Sequence, residues 1–154
     1  MSIEKRLATL GIMLPEAPRP VAAYVPYVIV DGLVFTAGQL PVVAGKICYT
    51  GRVGAELTVE EGREAARLCA LNALAVVRAA AGSLDNVVQV VQLTGYVASA
   101  PDFFGQPQVL NGASQLMEEI FGEAGRHARV AVGASALPLG AAVELALVVK
   151  VNTR

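Results

Sequence analysis

The stretch "HARVAVGASALPLGAAVELALVVKV", His127 to Val151, constrains the chain most. Its second half, "AAVELALVV", is apolar at nearly every position, with Glu144 the lone charge. Successive side chains of a strand point to opposite sides, so a strand with one wet face alternates apolar and polar residues. A strand without that alternation has both faces covered. Helices of the same chain can cover one face; the other calls for a further copy of the chain, and a homo-oligomer is expected. The composition agrees, with 55% of residues hydrophobic and only 16% charged.

Elsewhere the pattern reads as short elements. "SIEKRLATLGI" predicts an opening helix capped by Ser2 and ended by Gly11, and "MLPEAPRPVAAY" a proline-rich connector. "YVIVDGLVFTAG" predicts two strands joined by an Asp31-Gly32 hairpin turn, with Gly38-Gln39 directly after the second. "KICYTGRVG" reads as a third strand. "LTVEEGREAARLCALNALAVVRAAAG" is the clearest helix: Thr58 and Glu61 form a capping box and Gly82 stops it. "NVVQVVQLTGYVAS" reads as a strand and "VLNGASQLMEEIFG" as a second long helix, with Leu116, Met117, Ile120 and Phe121 on its apolar side. The closing stretch reads as a hairpin around Pro138 and Gly140. The order predicts an α+β domain over residues 1–154, a mixed sheet with helices on one face, preceded by a helix and connector over 1–20.

Several function classes lose support. The net charge is -1 and aromatics make up 5%, without the basic stripe of a nucleic-acid binder. One histidine, two separated cysteines and no acidic cluster offer no metal ligand set, and neither nucleotide-binding glycine motif occurs, so no cofactor is expected. Cys48 and Cys69 are expected as buried free thiols in a reducing compartment. The opening residues carry charges where a secretion signal needs an apolar run. No stretch gives about 18 unbroken apolar residues, so a cytoplasmic chain without a membrane span is expected.

The two charges of the closing stretch remain. Arg129 and Glu144 suit a buried ion pair tying the last strands together. They also suit a site, because a guanidinium fork grips a carboxylate through parallel hydrogen bonds and a nearby carboxylate can hold a water. His127, the sole imidazole, stands beside Arg129.

"VFTAGQLP", "RHARVAVGASALP" and "VELALVV" resemble the YjgF/RidA family of reactive-intermediate deaminases, also called endoribonuclease L-PSP, from about Tyr24 to Val151. The "GASQLMEEIFGEAGRHAR" segment is similar to an uncharacterised subgroup. The resemblance implies a chorismate-mutase-like fold, a homotrimer and a ligand cleft between subunits. It implies cofactor-free hydrolysis of enamines and imines to a 2-keto acid and ammonia. Arg129 then binds the substrate carboxylate and Glu144 positions water or shuttles a proton. Tyr24, Ala37, Gly38 and Gln39 border the pocket. Ala37 departs from the serine often found there. The family's second-helix asparagine falls near Ser114 or Asn111, and His127 belongs to the subgroup. Two other readings stand beside this one: a non-catalytic trimeric binder or sensor of small carboxylates, and, with less support, a ribonuclease.

Overall fold

A computed structural model of the chain describes residues 1–18 and 23–152. Helix α1 spans Ile3–Thr9, and the Ser2 hydroxyl accepts from the Lys5 amide at its start, as the sequence predicts. Residues 19–22 of the connector lie outside the described part. Strands β1 (Tyr27–Val30) and β2 (Leu33–Thr36) form the predicted hairpin. Asp31 and Gly32 both have positive φ, 51° and 74°, the backbone a two-residue turn of this hand demands.

The expected third strand is largely absent. Val42–Val43 (β3) and Lys46–Ile47 (β4) form a separate two-residue ribbon, and the chain then leaves the extended region, with φ of 59° at Tyr49 and 119° at Gly51. Helix α2 spans Val59–Ala81. Both halves of the Thr58–Glu61 capping box are made, and Gly82 ends the helix in the left-handed region. A cap of this kind contributes about 1 kcal/mol.

Strand β5 (Val87–Ala98), helix α3 (Gln106–Phe121), strand β6 (Ala128–Ala134) and strand β7 (Val143–Val151) complete the domain. The main sheet runs β1-β2-β7-β5-β6. The expected closing hairpin does not form, because β5 lies between β6 and β7, parallel to β6 and antiparallel to β7. The reason is α3. It carries the chain back across the sheet, so β6 starts at the same end as β5, and a crossover of that kind makes parallel neighbours. The Pro138–Gly140 turn then spans the end of β5: Ser99 N donates to Ala134 O on one side, and Ala98 N to Ala142 O on the other.

Both long helices pack on one face of the sheet. The core lies there, built from Leu74, Leu93, Leu110, Leu116, Leu145 and Leu147 with their neighbours. Each such side chain contributes roughly 1.5–3 kcal/mol by leaving water. On β7, Val143, Leu145, Leu147, Val149 and Val151 point into this core, while Glu144, Ala146, Val148 and Lys150 point away. The far face carries Val28, Phe35, Tyr96, Val130 and Val132, each about 40–50% exposed. The two-sided apolar pattern that opened the sequence reading is therefore real: one face is covered by helices, the other is an open apolar wall. No described helix is long and apolar enough to cross a membrane.

Candidate functional site

Arg129 lies on β6, the edge strand, in register with Leu93 of β5. Leu93 points into the core, so Arg129 projects to the helix side of the sheet. There α3 meets it. Arg129 Nη1 donates to Asn111 Oδ1 at 2.9 Å and to Ser114 Oγ at 3.1 Å. Asn111 and Ser114 are three residues apart, one turn of the same helix, which lets both reach one guanidinium. The sequence left the choice between these two open; the fold brings both to Arg129.

Ser114 also meets His127. Its Oγ lies 2.9 Å from His127 Nε2, and His127 Nδ1 lies 2.7 Å from the Gly125 carbonyl oxygen. A carbonyl can only accept, so Nδ1 carries a proton. In the neutral ring Nε2 is then the acceptor, and Ser114 donates to it. A directed chain results: Arg129 to Ser114, Ser114 to His127, His127 to the Gly125 carbonyl. These side chains line an open groove of about 390 Å³ at the sheet edge, with Glu118 and Arg126 at its margin. Sequence reading missed the Gly125 carbonyl, since a backbone acceptor leaves no letter to read.

Glu144 is elsewhere. It sits in register with Tyr96 on the open face of the sheet, away from Arg129. Among the described residues neither charge takes part in an ion pair, so the expected buried Arg129–Glu144 pair does not form. Burial pushes the Glu144 carboxyl above its ordinary value. The carboxyl folds over Gly38, where even a methyl group would collide with Oε2. A side chain at 38 would require the Glu144 carboxylate to swing aside. The backbone of Gln39 exchanges both hydrogen bonds with Leu145, fixing the loop against β7, and its side-chain amide donates to the Ala37 carbonyl. Tyr24 is 60% exposed just before β1, the opposite edge strand from β6. Four strand spacings separate those edges, roughly 19 Å.

The candidate residues thus fall into two sets. Asn111, Ser114, His127 and Arg129 share the groove at the β6 edge. Ala37, Gly38, Gln39 and Glu144 gather around β2 and β7, with Tyr24 beyond. Neither cysteine joins a set: Cys48 is half-buried rather than buried, and Cys69 is buried in the core. Burial pushes the Cys69 thiol well up, and the charge of Glu144 adds to the effect. Among the described residues no group of His, Cys, Asp and Glu could hold a metal.

The family model described as "YjgF/chorismate mutase-like, putative endoribonuclease" matches residues 4–151. Protein TCP17 of Trypanosoma cruzi is 48% identical over 151 residues, covering 97% of this chain and 94% of its own. Among solved structures, one described as a putative endoribonuclease from Shewanella oneidensis superposes with a TM-score of 0.94 at 38% identity, covering 98% of this chain and all of its own. More distant is TdcF of E. coli, solved with bound serine, at 25% identity and a TM-score of 0.62, covering 90% of this chain and 94% of its own.

Proposed function

This chain belongs to the YjgF/RidA family, and from that premise we propose that it hydrolyses small enamine or imine acids to 2-keto acids and ammonia. The observation that carries the reading is the held guanidinium of Arg129. Asn111 and Ser114 fix it through Nη1, and among the described residues Nη2 and Nε make no hydrogen bond. A carboxylate fits those two donors side by side. The serine bound to the related TdcF is itself a small amino acid with a carboxylate.

The division of candidate residues into two sets supports a shared cleft. A site with both sets takes Arg129 and its groove from one copy and Glu144 with the Gly38 loop from a neighbour. The open apolar face supplies a surface for that association, and a homotrimer is the proposed assembly. In this arrangement Arg129 anchors the substrate carboxylate and the neighbour's Glu144 holds the attacking water. Holding both reactants in place removes much of the entropic barrier. The reading needs neither metal nor organic cofactor. A ribonuclease role is less favoured, since the chain bears a net charge of -1.

The test is a coupled assay with freshly generated 2-aminoacrylate. Keto-acid release faster than buffer, lost in Arg129→Ala, is expected. No acceleration, with saturable 2-keto acid binding at Arg129, would instead support the carboxylate-binding module.

A further inference from the structure

His127 sits on the Nη1 side of Arg129, opposite the edge left free for a ligand. We propose that it is a positioning residue: through Ser114 it locks the Arg129 guanidinium, so that a ligand carboxylate docks side-on, across Nη2 and Nε alone. The inference rests on the carboxylate anchor of the reading above and not on the hydrolysis.

The proton inventory of the guanidinium carries it. Arginine has two N–H donors on Nη1, two on Nη2 and one on Nε. Asn111 Oδ1 at 2.9 Å and Ser114 Oγ at 3.1 Å take both of those on Nη1. A carboxylate grips a guanidinium either end-on, across Nη1 and Nη2, or side-on, across Nη2 and Nε. With Nη1 fully used, the end-on edge is closed and the side-on edge is left.

His127 gives the Ser114 contact its direction. A serine hydroxyl rotates, and one that turned its proton toward Nη1 would set donor against donor. His127 Nδ1 donates to the Gly125 carbonyl at 2.7 Å, which in the neutral ring leaves Nε2 as an acceptor 2.9 Å from Ser114 Oγ. The hydroxyl proton goes there, and a lone pair of Oγ faces Arg129. The Gly125 carbonyl is held in its turn. Gly125 is buried in the 3-10 turn over Gly122–Gly125, and a methyl group on it would run into the Met117 carbonyl of α3. Ser114 and Met117 are three residues apart, one turn of that helix. The imidazole is thus braced between α3 and a turn packed on α3.

The effect on a ligand passes entirely through Arg129. A fork held in place before the ligand arrives has less freedom to lose on binding, so the lock acts on affinity. It also acts on the guanidinium itself: rotation about the Cζ–Nε bond interchanges Nη1 and Nη2, and the lock slows it.

NMR of the arginine side-chain nitrogens reads both, with the Arg129 signals assigned by their loss in Arg129→Lys. In the wild type, pyruvate is expected to shift Nη2 and Nε of Arg129 far more than Nη1. In Ser114→Ala and His127→Ala the interchange should quicken about 10-fold, and calorimetry should show pyruvate binding about 10-fold weaker. Ser114→Thr, which keeps the hydroxyl, should behave as the wild type. Unchanged interchange and affinity in both alanine variants would overturn the lock and leave the carboxylate anchor standing. A pyruvate shift centred on Nη1 would overturn it too, and that measurement needs only the wild type should a variant fail to fold. A wild type that binds pyruvate across Nη2 and Nε without accelerating 2-aminoacrylate hydrolysis would remove the hydrolase reading and support the lock. Absence of pyruvate binding at Arg129 would overturn the anchor and the lock together.

Discussion

Arg129 and Glu144 project from opposite faces of one sheet. Arg129 is in register with Leu93 on the helix side; Glu144 is in register with Tyr96 on the open side. Two charges separated in this way serve different neighbours. The arginine belongs to α3 and its groove, the glutamate to whatever covers the open face.

Arg129→Ala is expected to reduce affinity for pyruvate about 100-fold, the loss of a charge-assisted pair worth roughly 2.7 kcal/mol. Calorimetric titration measures it. Arg129→Lys should recover only part, because an ammonium lacks the planar fork. Equal affinity in all three proteins would place the carboxylate elsewhere.

Assembly gives a second prediction. The wild type should sediment at three times the 15.9 kDa chain mass at micromolar concentration. Val132→Lys places a charge on the open face, where Val132 is 41% exposed in the single chain, and should lower the sedimenting mass. A monomeric wild type contradicts the shared cleft.

Gly112 tests the helix crossing. A methyl group there would run into the Arg63 carbonyl of α2, backbone against backbone. Alanine gains roughly 0.5–1 kcal/mol of helix propensity, but overpacking costs about 1–3 kcal/mol. The overlap wins, and Gly112→Ala should lower the melting temperature by several degrees. An unchanged or raised melting temperature would mean the helices separate freely.

Acidity probes Glu144. Its folded carboxyl binds a proton more tightly than the ordinary value of 4.5. The folded state is therefore favoured below 4.5, and that advantage fades as pH rises through the higher folded-state value. Glu144→Gln cannot ionise. The melting temperature of the wild type should fall relative to that of Glu144→Gln as pH rises from 4.5 toward neutrality. Parallel curves over that range would show that burial does not perturb the group.

The parts of this architecture that depend on nearby letters were readable in the sequence. Thr58 and Glu61 cap a helix within one turn, and Asp31-Gly32 turns a hairpin within two residues, so each is set locally. The mostly apolar letters of β7, with no apolar–polar alternation, likewise announced a sheet apolar on both sides. The pairing of β6 was not readable, because it depends on where α3 sets the chain down. From that one error followed the expected Arg129–Glu144 pair: a hairpin would have placed the two side by side. Among the site residues, resemblance pointed to Arg129 and, less definitely, to Ser114 or Asn111. Only the fold shows that both of the latter reach Arg129.

The α2–α3 crossing has a consequence for the groove. Arg63 of α2 donates to the Gln108 carbonyl and to the Gln115 side chain of α3, and Gly112 lies flush against the Arg63 backbone between them. Asn111 and Ser114 flank that glycine. The height at which α3 rides on α2 therefore sets how far both polar groups reach toward Arg129. A slide of one helix along the other would detune the two contacts together. The groove can be regraded from its scaffold, through residues on α2 that do not line it.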